Sequence, residues 1–268
     1  MLKDVTLGQF FPGDSFVHKL DPRTKLVLVI VYIIMLFTAK SWFSYLLMLA
    51  LLVLCISVSR IKPKTLFSGI KPLIFIIFFT AILNILFTKG EHVVASFWKI
   101  TITTEGLVRA LFMIARLIML IMGTILLTYT TSPIALTDGL ERLLSPLKVI
   151  KVPVHELAMM MSIALRFIPT LIEETDKIMS AQKARGADFD TGSLLSRARA
   201  LLPILVPLFI SAFRRADELA TAMECRCYNG GEGRTRLRQL RMGGRDYIAF
   251  GLFACVFAGV IILARFGL

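Results

Sequence analysis

Long apolar runs with short polar breaks fill the first half of the chain, and a mixed, periodic pattern fills most of the second. The runs predict membrane-crossing helices over about residues 26–39, 42–58, 72–87, 106–129 and 247–264. Asp21 and Pro22 fit the N-cap and first position of the first of these helices. That run is short for a bilayer, and Lys25 and Lys40 at its ends are expected to snorkel outward. Trp42 and Tyr45 suit the interface at the start of the second. The connection holding Arg60, Lys62, Lys64 and Lys71 reads as a loop, as does the stretch 88–104. Arg109 and Arg116 fall within the fourth run. A charge there is costly, so Arg109 is expected to snorkel at the membrane edge and Arg116 to face another helix.

Between residues 130 and 245 the helical period persists while the charge rises. Thr131-Ser132-Pro133 opens one helix, expected to run to about Leu147 with Leu136, Leu140, Leu143, Leu144 and Leu147 on one face. A second runs from about His155 to Arg185, with a kink at Pro169. A third is opened by Asp188 and Asp190 near Gly192, bends at Pro203 and Pro207, and ends near Arg226. The fold class is therefore an all-α integral membrane protein with five transmembrane helices and three cytoplasmic or interfacial helices. Its expected divisions are 1–24, an N-terminal segment; 25–131, transmembrane helices 1–4; 132–245, the three further helices; and 246–268, the last span.

Composition agrees with that class. Of 268 residues 56% are hydrophobic, and the mean hydropathy is +0.76, far too apolar for a soluble domain of this size. The formal net charge of +13 sets the orientation. Placing the 60–71 connection in the cytoplasm puts the N-terminus and residues 130–245 there too, with the C-terminus outside and most of the Lys and Arg inside. The polar start of the chain does not look like a cleavable signal. Cys55, Cys225, Cys227 and Cys255 suggest no disulfide framework.

Two segments in the second half look alike. Ser180-Ala181-Gln182-Lys183-Ala184-Arg185-Gly186 and Thr221-Ala222-Met223-Glu224-Cys225-Arg226-Cys227 share a hydroxyl residue, an alanine and an arginine between small residues. Each closes a helix, and the arginines stand 41 positions apart. An arginine on a slim neck suits a groove lined by carboxylates and carbonyls, because its planar fork makes several directed hydrogen bonds. A doubled tip implies two similar partner subunits. Cys227, where the first segment has Gly186, makes a left-handed cap harder to reach, so the second turn is expected to move to Asn229 or Gly230.

Other chemistry finds little support. The loop from Gly230 to Thr235 fails as a phosphate-binding loop, since Tyr228 stands at the first required glycine and Arg234 at the lysine. Cys225 and Cys227 without a nearby histidine do not make a zinc site. His18, His92 and His155 are scattered, and Glu173, Glu174 and Asp176 read as a solvated helix face. No catalytic constellation is visible, so the chain is expected not to be an enzyme. Arg234, Arg236, Arg238, Arg241 and Arg245 read as an interfacial anchor before the last span.

The run Leu20-Asp21-Pro22-Arg23-Thr24-Lys25, the stretch from Thr131-Ser132-Pro133 to Gly139-Leu140-Glu141, the run Arg166-Phe167-Ile168-Pro169 and the two tips carry a resemblance. Over nearly its whole length the chain resembles the transmembrane T component of energy-coupling factor (ECF) transporters. The resemblance implies a non-catalytic scaffold in the bacterial plasma membrane, serving ATP-driven uptake of a vitamin or metal ion. Its implied partners are two ABC-type ATPases and a membrane-embedded, substrate-binding S component. ATP and Mg would sit on the ATPases, and this chain would bind no cofactor. The three further helices would be coupling helices. Ala184, Arg185, Gly186, Cys225, Arg226 and Cys227 would dock the ATPases, and the second tip departs from the family's Ala-Arg-Gly. Candidate contacts for the S component are Met160, Leu165, Ile168, Leu205, Leu208 and Phe209, with Met159 and Met161 adding adaptable surface. The competing readings are a self-contained channel or carrier, which would need polar groups such as Asn84 and Arg116 at mid-membrane, and a membrane-bound enzyme or regulator.

Overall fold

The structure is a computed structural model that describes residues 10–39, 41–88, 93–97, 100–187, 189, 194–230 and 239–266. Lys40, Lys89, His92, Lys99, Asp188, Asp190, Gly192, Arg234, Arg236 and Arg238 lie outside the described residues, and so do the expectations that rest on them. The chain is an all-α membrane protein with one short ribbon in a connection. Two compact units emerge, one from the described part of Leu140–Gln239 and one from that of Gly8–Gly139 with Leu240–Leu268.

In the second of these units, α1 (Pro22–Thr38) starts where the sequence said it would. Asp21 accepts from the Arg23 N–H at 2.9 Å, and Pro22 takes the first helical position. Helix α2 (Trp42–Ser59) is capped by Ser41, which accepts from the Ser44 N–H. The 60–71 connection is mostly helical rather than a loop. Pro63 starts α3 (Pro63–Ile70), a 3₁₀ turn holds Lys71–Leu73, and α4 (Ile74–Phe87) follows directly. Pro63 and Pro72 each sit where a helix tolerates proline, at a first turn, so neither breaks the path. The expected loop 88–104 instead contains an antiparallel ribbon, β1 (Val93–Phe97) with β2 (Ile100–Thr103). Thr103 then caps α5 (Thr104–Thr130) by accepting from the Gly106 N–H at 3.2 Å. At the chain's end lies α9 (Gly244–Phe266), where Asp246 reaches back to the Gly243 N–H at 2.8 Å. Tyr32, Met35, Leu36, Met48, Met119 and Val260 form the core among α1, α2, α5 and α9.

Helix α6 (Pro133–Leu144) ends earlier than expected, because Pro146 turns the chain into a 3₁₀ segment, Ser145–Ile150. The other unit holds two long helices packed together, α7 (Val154–Ala184) and α8 (Leu194–Cys225), with Pro169 inside one and Pro203 and Pro207 inside the other. Among the described residues five helical stretches are long and apolar enough to cross a membrane, namely Trp42–Ser59, Pro63–Phe87, Thr104–Thr130, Val154–Ala184 and Gly244–Arg265. The number equals the sequence expectation, but the membership differs. Helix α1 has 17 residues and is left out, while α7, expected beneath the membrane, qualifies.

Two buried polar arrangements lock the unit that contains α1. Lys25 does not snorkel. It is buried, and its Nζ donates to the His18 carbonyl at 3.2 Å, the Thr130 carbonyl at 2.9 Å and the Thr131 hydroxyl at 3.1 Å. Three oxygens replace the water the ammonium gives up, and they include the orphan carbonyl at the end of α5. Beside it the Asp21 N–H donates to Asp246 at 2.9 Å, and Arg23 donates to the Leu240 carbonyl at 3.2 Å. Gly139 lies so close to Pro22 that an added Cβ would stand 3.0 Å from that ring. The sequence stretches Leu20–Lys25 and 131–139, far apart in the chain, therefore meet at one junction of α1, α5, α6 and α9.

Candidate functional site

The two arginine tips are built by the same backbone device. At the end of α7 the Gly186 N–H donates to the Lys183 carbonyl at 3.0 Å, and the Ala187 N–H reaches back to Gln182 at 3.0 Å. At the end of α8 the Cys227 N–H donates to Glu224 at 2.8 Å, and the Tyr228 N–H to Met223 at 3.0 Å. These are paired 5→2 and 6→1 bonds, the Schellman closure, with arginine at the C-cap each time. The Arg185 and Arg226 N–H groups add matching bonds to Gln182 and Met223, both at 3.1 Å.

The closure needs a residue of positive φ after the arginine. Gly186 supplies it at 88°. Cys227 supplies it as well, at 53°. The second turn therefore does not move to Asn229 or Gly230, although Gly230 has a positive φ of its own. The hydrogen bonds of the closure outweigh the cost of a Cβ in the left-handed region, which is about 1–2 kcal/mol.

Both arginines are exposed, as are Ala184, Gly186, Cys225 and Cys227. The last carbonyls of each helix are spent on the closure, and each side chain is left to project. Nothing within 4 Å would meet a Cβ added at Gly186, so the neck is open. The two cysteine thiols are free. Each tip thus presents an exposed guanidinium whose N–H donors point in fixed directions.

Upstream of the tips α7 and α8 carry a wide apolar face. Met160 is 54% exposed, Leu205 54% and Phe209 65%, while Leu165, Ile168 and Leu208 are half-buried. Leu157, Met161, Val206 and Phe213 extend it. So much bare apolar surface on a helix pair calls for lipid or a protein partner to cover it.

A brace between the helices escaped the sequence reading. Glu174 is not part of a solvated face. It accepts from the Ser211 hydroxyl and, at 3.2 Å, from Arg215, whose guanidinium also lies over the Phe167 ring. Glu173, one position away, is exposed as expected. The available signal was the spacing, since Glu174 and Arg215 stand 41 residues apart, the same offset as the two tips. His155 is likewise not isolated, because Nδ1 lies 3.0 Å from Glu141.

Comparison with known proteins fits this architecture. Residues 13–237 match a family model described as "CbiQ: Cobalt transport protein". A protein of Clostridium kluyveri named energy-coupling factor transporter transmembrane protein EcfT is 54% identical over 266 residues, covering 99% of this chain and 98% of the relative. Relatives of the same name occur in Heliobacterium modesticaldum, at 57% identity over 247 residues with 92% of each chain covered, and in Bacillus subtilis, at 49% over 246 residues with 92% and 93% covered. With a family match over most of its length and relatives near half identity across both chains, this chain belongs to the EcfT family of transporter transmembrane proteins.

Proposed function

We propose that the chain is the scaffold of an ECF-type importer. It would join two ABC-type ATPases, gripping Arg185 and Arg226, to a membrane-embedded S component resting on α7 and α8. The observation that carries this reading is the repeated tip. Two similar segments that differ at the critical position, one with glycine and one with cysteine, are folded into the same closure with the same exposed cation. Basicity under a membrane requires no such repetition.

In this reading ATP is bound and hydrolysed by the partners. Its binding draws the two ATPases together, and the tips move with them. The motion passes along α7 and α8, which the Glu174–Arg215 brace couples, to the apolar face around Met160, Leu165, Ile168, Leu205, Leu208 and Phe209. The N-terminus and residues 132–245 lie on the cytoplasmic side and the C-terminus outside, as the distribution of Lys and Arg favours. A vitamin or metal ion held by the S component is the cargo. A self-contained carrier is less well supported, because the Asn84 amide, one of its two candidate polar groups, is spent on the Thr80 carbonyl and Met113 sulfur, and Arg116, the other, is anchored to Tyr45 and the Ala39 carbonyl.

The test is the double variant Arg185→Ala/Arg226→Ala in the full complex. It is expected to insert normally, to lose co-purification of the ATPases and to lose uptake, with each single variant intermediate. Undiminished co-purification and uptake in the double variant would sink the docking assignment. Uptake by the chain alone in liposomes would favour the carrier.

A further inference from the structure

One charged cleft has no role in the reading above. It lies where the end of α1, the start of α2, α4 and α5 meet, and it encloses about 480 Å³. Two arginines line it, Arg109 and Arg116, seven residues and so two turns apart on one face of α5. Among the described residues that line it there is no carboxylate. Glu105, one turn before Arg109, is half-buried and does not line the cleft.

Arg116 is fixed in place. Its Nε donates to the Tyr45 hydroxyl at 2.9 Å and an Nη to the Ala39 carbonyl at 3.2 Å. Its guanidinium also lies over the Phe37 and Tyr45 rings, at 5.4 and 5.8 Å. These bonds set its depth. Ala39 is the C-cap of α1 and Tyr45 belongs to the first turn of α2. Arg116 therefore stands at the level where the chain reverses between those helices. A guanidinium has five N–H donors, and the two bonds leave three to spare. Arg109 is exposed and makes no ion pair among the described residues. The Asn84 amide is occupied, donating to the Thr80 carbonyl and to Met113 sulfur, so it pins α4 to α5 and contributes no donor to the cleft. At the rim Trp42 packs on Phe112 at 4.6 Å while staying exposed, as does Phe37. An exposed Trp at a helix start suits the headgroup level of a bilayer.

We propose that this cleft binds a phosphate group, with Arg109 and the spare donors of Arg116 as its ligands. Two guanidinium groups with no carboxylate among the described lining residues attract an anion, and the fork geometry suits tetrahedral phosphate oxygens. When the phosphate belongs to a phospholipid headgroup, Trp42 and Phe37 flank its glycerol and upper acyl chain. Inorganic phosphate offers the same oxygens without that apolar contact.

The experiment is native mass spectrometry of the delipidated full chain in a neutral detergent. It is titrated with phosphatidylglycerol, with diacylglycerol of the same chains, and with inorganic phosphate competing against the lipid. Arg109→Gln is the variant, since Arg116 supports the fold; equal thermal unfolding of variant and wild type establishes that the fold is intact, and Arg142→Gln, an exposed change in α6, is the control. Phosphatidylglycerol is expected to be retained about tenfold better than diacylglycerol, and about tenfold better by wild type and Arg142→Gln than by Arg109→Gln. Displacement by inorganic phosphate would support the site and assign it to free phosphate as well; resistance to displacement, with the Arg109 effect intact, would support it and assign it to the lipid. Equal retention by Arg109→Gln and wild type, or equal binding of diacylglycerol, would overturn the proposal.

Discussion

Gly186 and Cys227 occupy the same position in two copies of one turn, at φ 88° and 53°, each immediately after an exposed arginine. Glycine reaches that region freely, and cysteine does so at a cost of about 1–2 kcal/mol. Cys227→Gly should therefore tighten the second tip and Gly186→Ala should loosen the first. Hydrogen exchange reads both changes, because the Tyr228 and Ala187 amides close the turns. Exchange at Tyr228 is expected to slow about fivefold in Cys227→Gly, and at Ala187 to quicken about fivefold in Gly186→Ala. Faster exchange at Tyr228 in the glycine variant would mean that the cysteine itself holds the turn.

How far such features can be read from sequence depends on how local their causes are. Asp21 and Pro22 announce the start of α1 because a cap and its helix are neighbours in the chain. The helix ends at the two tips are legible for the same reason, but the turn at Cys227 was misplaced because its hydrogen bonds outweigh the local preference for glycine. The ribbon was missed although Val93-Val94 and Ile100-Thr101-Ile102-Thr103 carry β-branched residues, since its surroundings read as a connection. The helical course of 63–73 was missed because Arg60, Lys62, Lys64 and Lys71 read as a polar connection, whereas Pro63 and Pro72 each sit in a first turn. The depth of Arg116 was beyond reach. Helix α5 has 27 residues, about 40 Å at 1.5 Å per residue, longer than a hydrocarbon core of about 30 Å. A position along such a helix does not reveal its level until its partners are known. Glu174 and Lys25 were misread in the same way, as their partners lie far along the chain.

Lys25 should rank among the most sensitive positions for stability. Lys25→Met removes an ammonium that satisfies the His18 and Thr130 carbonyls and the Thr131 hydroxyl, leaving buried acceptors bare. The loss is expected to be about 2–4 kcal/mol, measured by unfolding in detergent micelles. Lys19→Met is the comparison, because Lys19 pairs with Asp14 at the surface, where the ion pair contributes little. Equal stability of the two variants would show that water reaches the Lys25 site.

The brace between α7 and α8 lends itself to a double-mutant cycle. Glu174 and Arg215 are each about three-quarters shielded, so their coupling should exceed that of a surface pair. Glu174→Gln and Arg215→Met, singly and together, are expected to give a coupling energy of about 1 kcal/mol in unfolding. If α7 and α8 carry motion between partners, the same variants should reduce uptake per ATP hydrolysed more than they reduce ATPase co-purification. A coupling energy of zero would return Glu174 to the solvated face that the sequence suggested.

Gly123 and Gly69 offer the sharpest contrast in how closely the helices approach. A Cβ on Gly123 would stand 2.6 Å and 3.0 Å from the ring of Tyr32, which is buried and whose hydroxyl donates to the Met119 carbonyl at 3.1 Å, one turn away on the same helix. The ring cannot withdraw without breaking that bond and opening the core around Met35 and Met119. A Cβ on Gly69 would also come within 2.6 Å of an atom, but that atom is the terminal methyl of Ile125, which can rotate away. Gly123→Ala is therefore expected to cost about 1–3 kcal/mol through overpacking. Gly69→Ala should stay within about 1 kcal/mol of wild type, since alanine's better helix propensity offsets the readjustment. Small residues at the seam of α1 and α5 are what let the backbones approach without a hydrophobic driving force in lipid. Unfolding of both variants in one detergent checks the point, and a stable Gly123→Ala would place the seam farther apart than the Tyr32–Met119 bond requires.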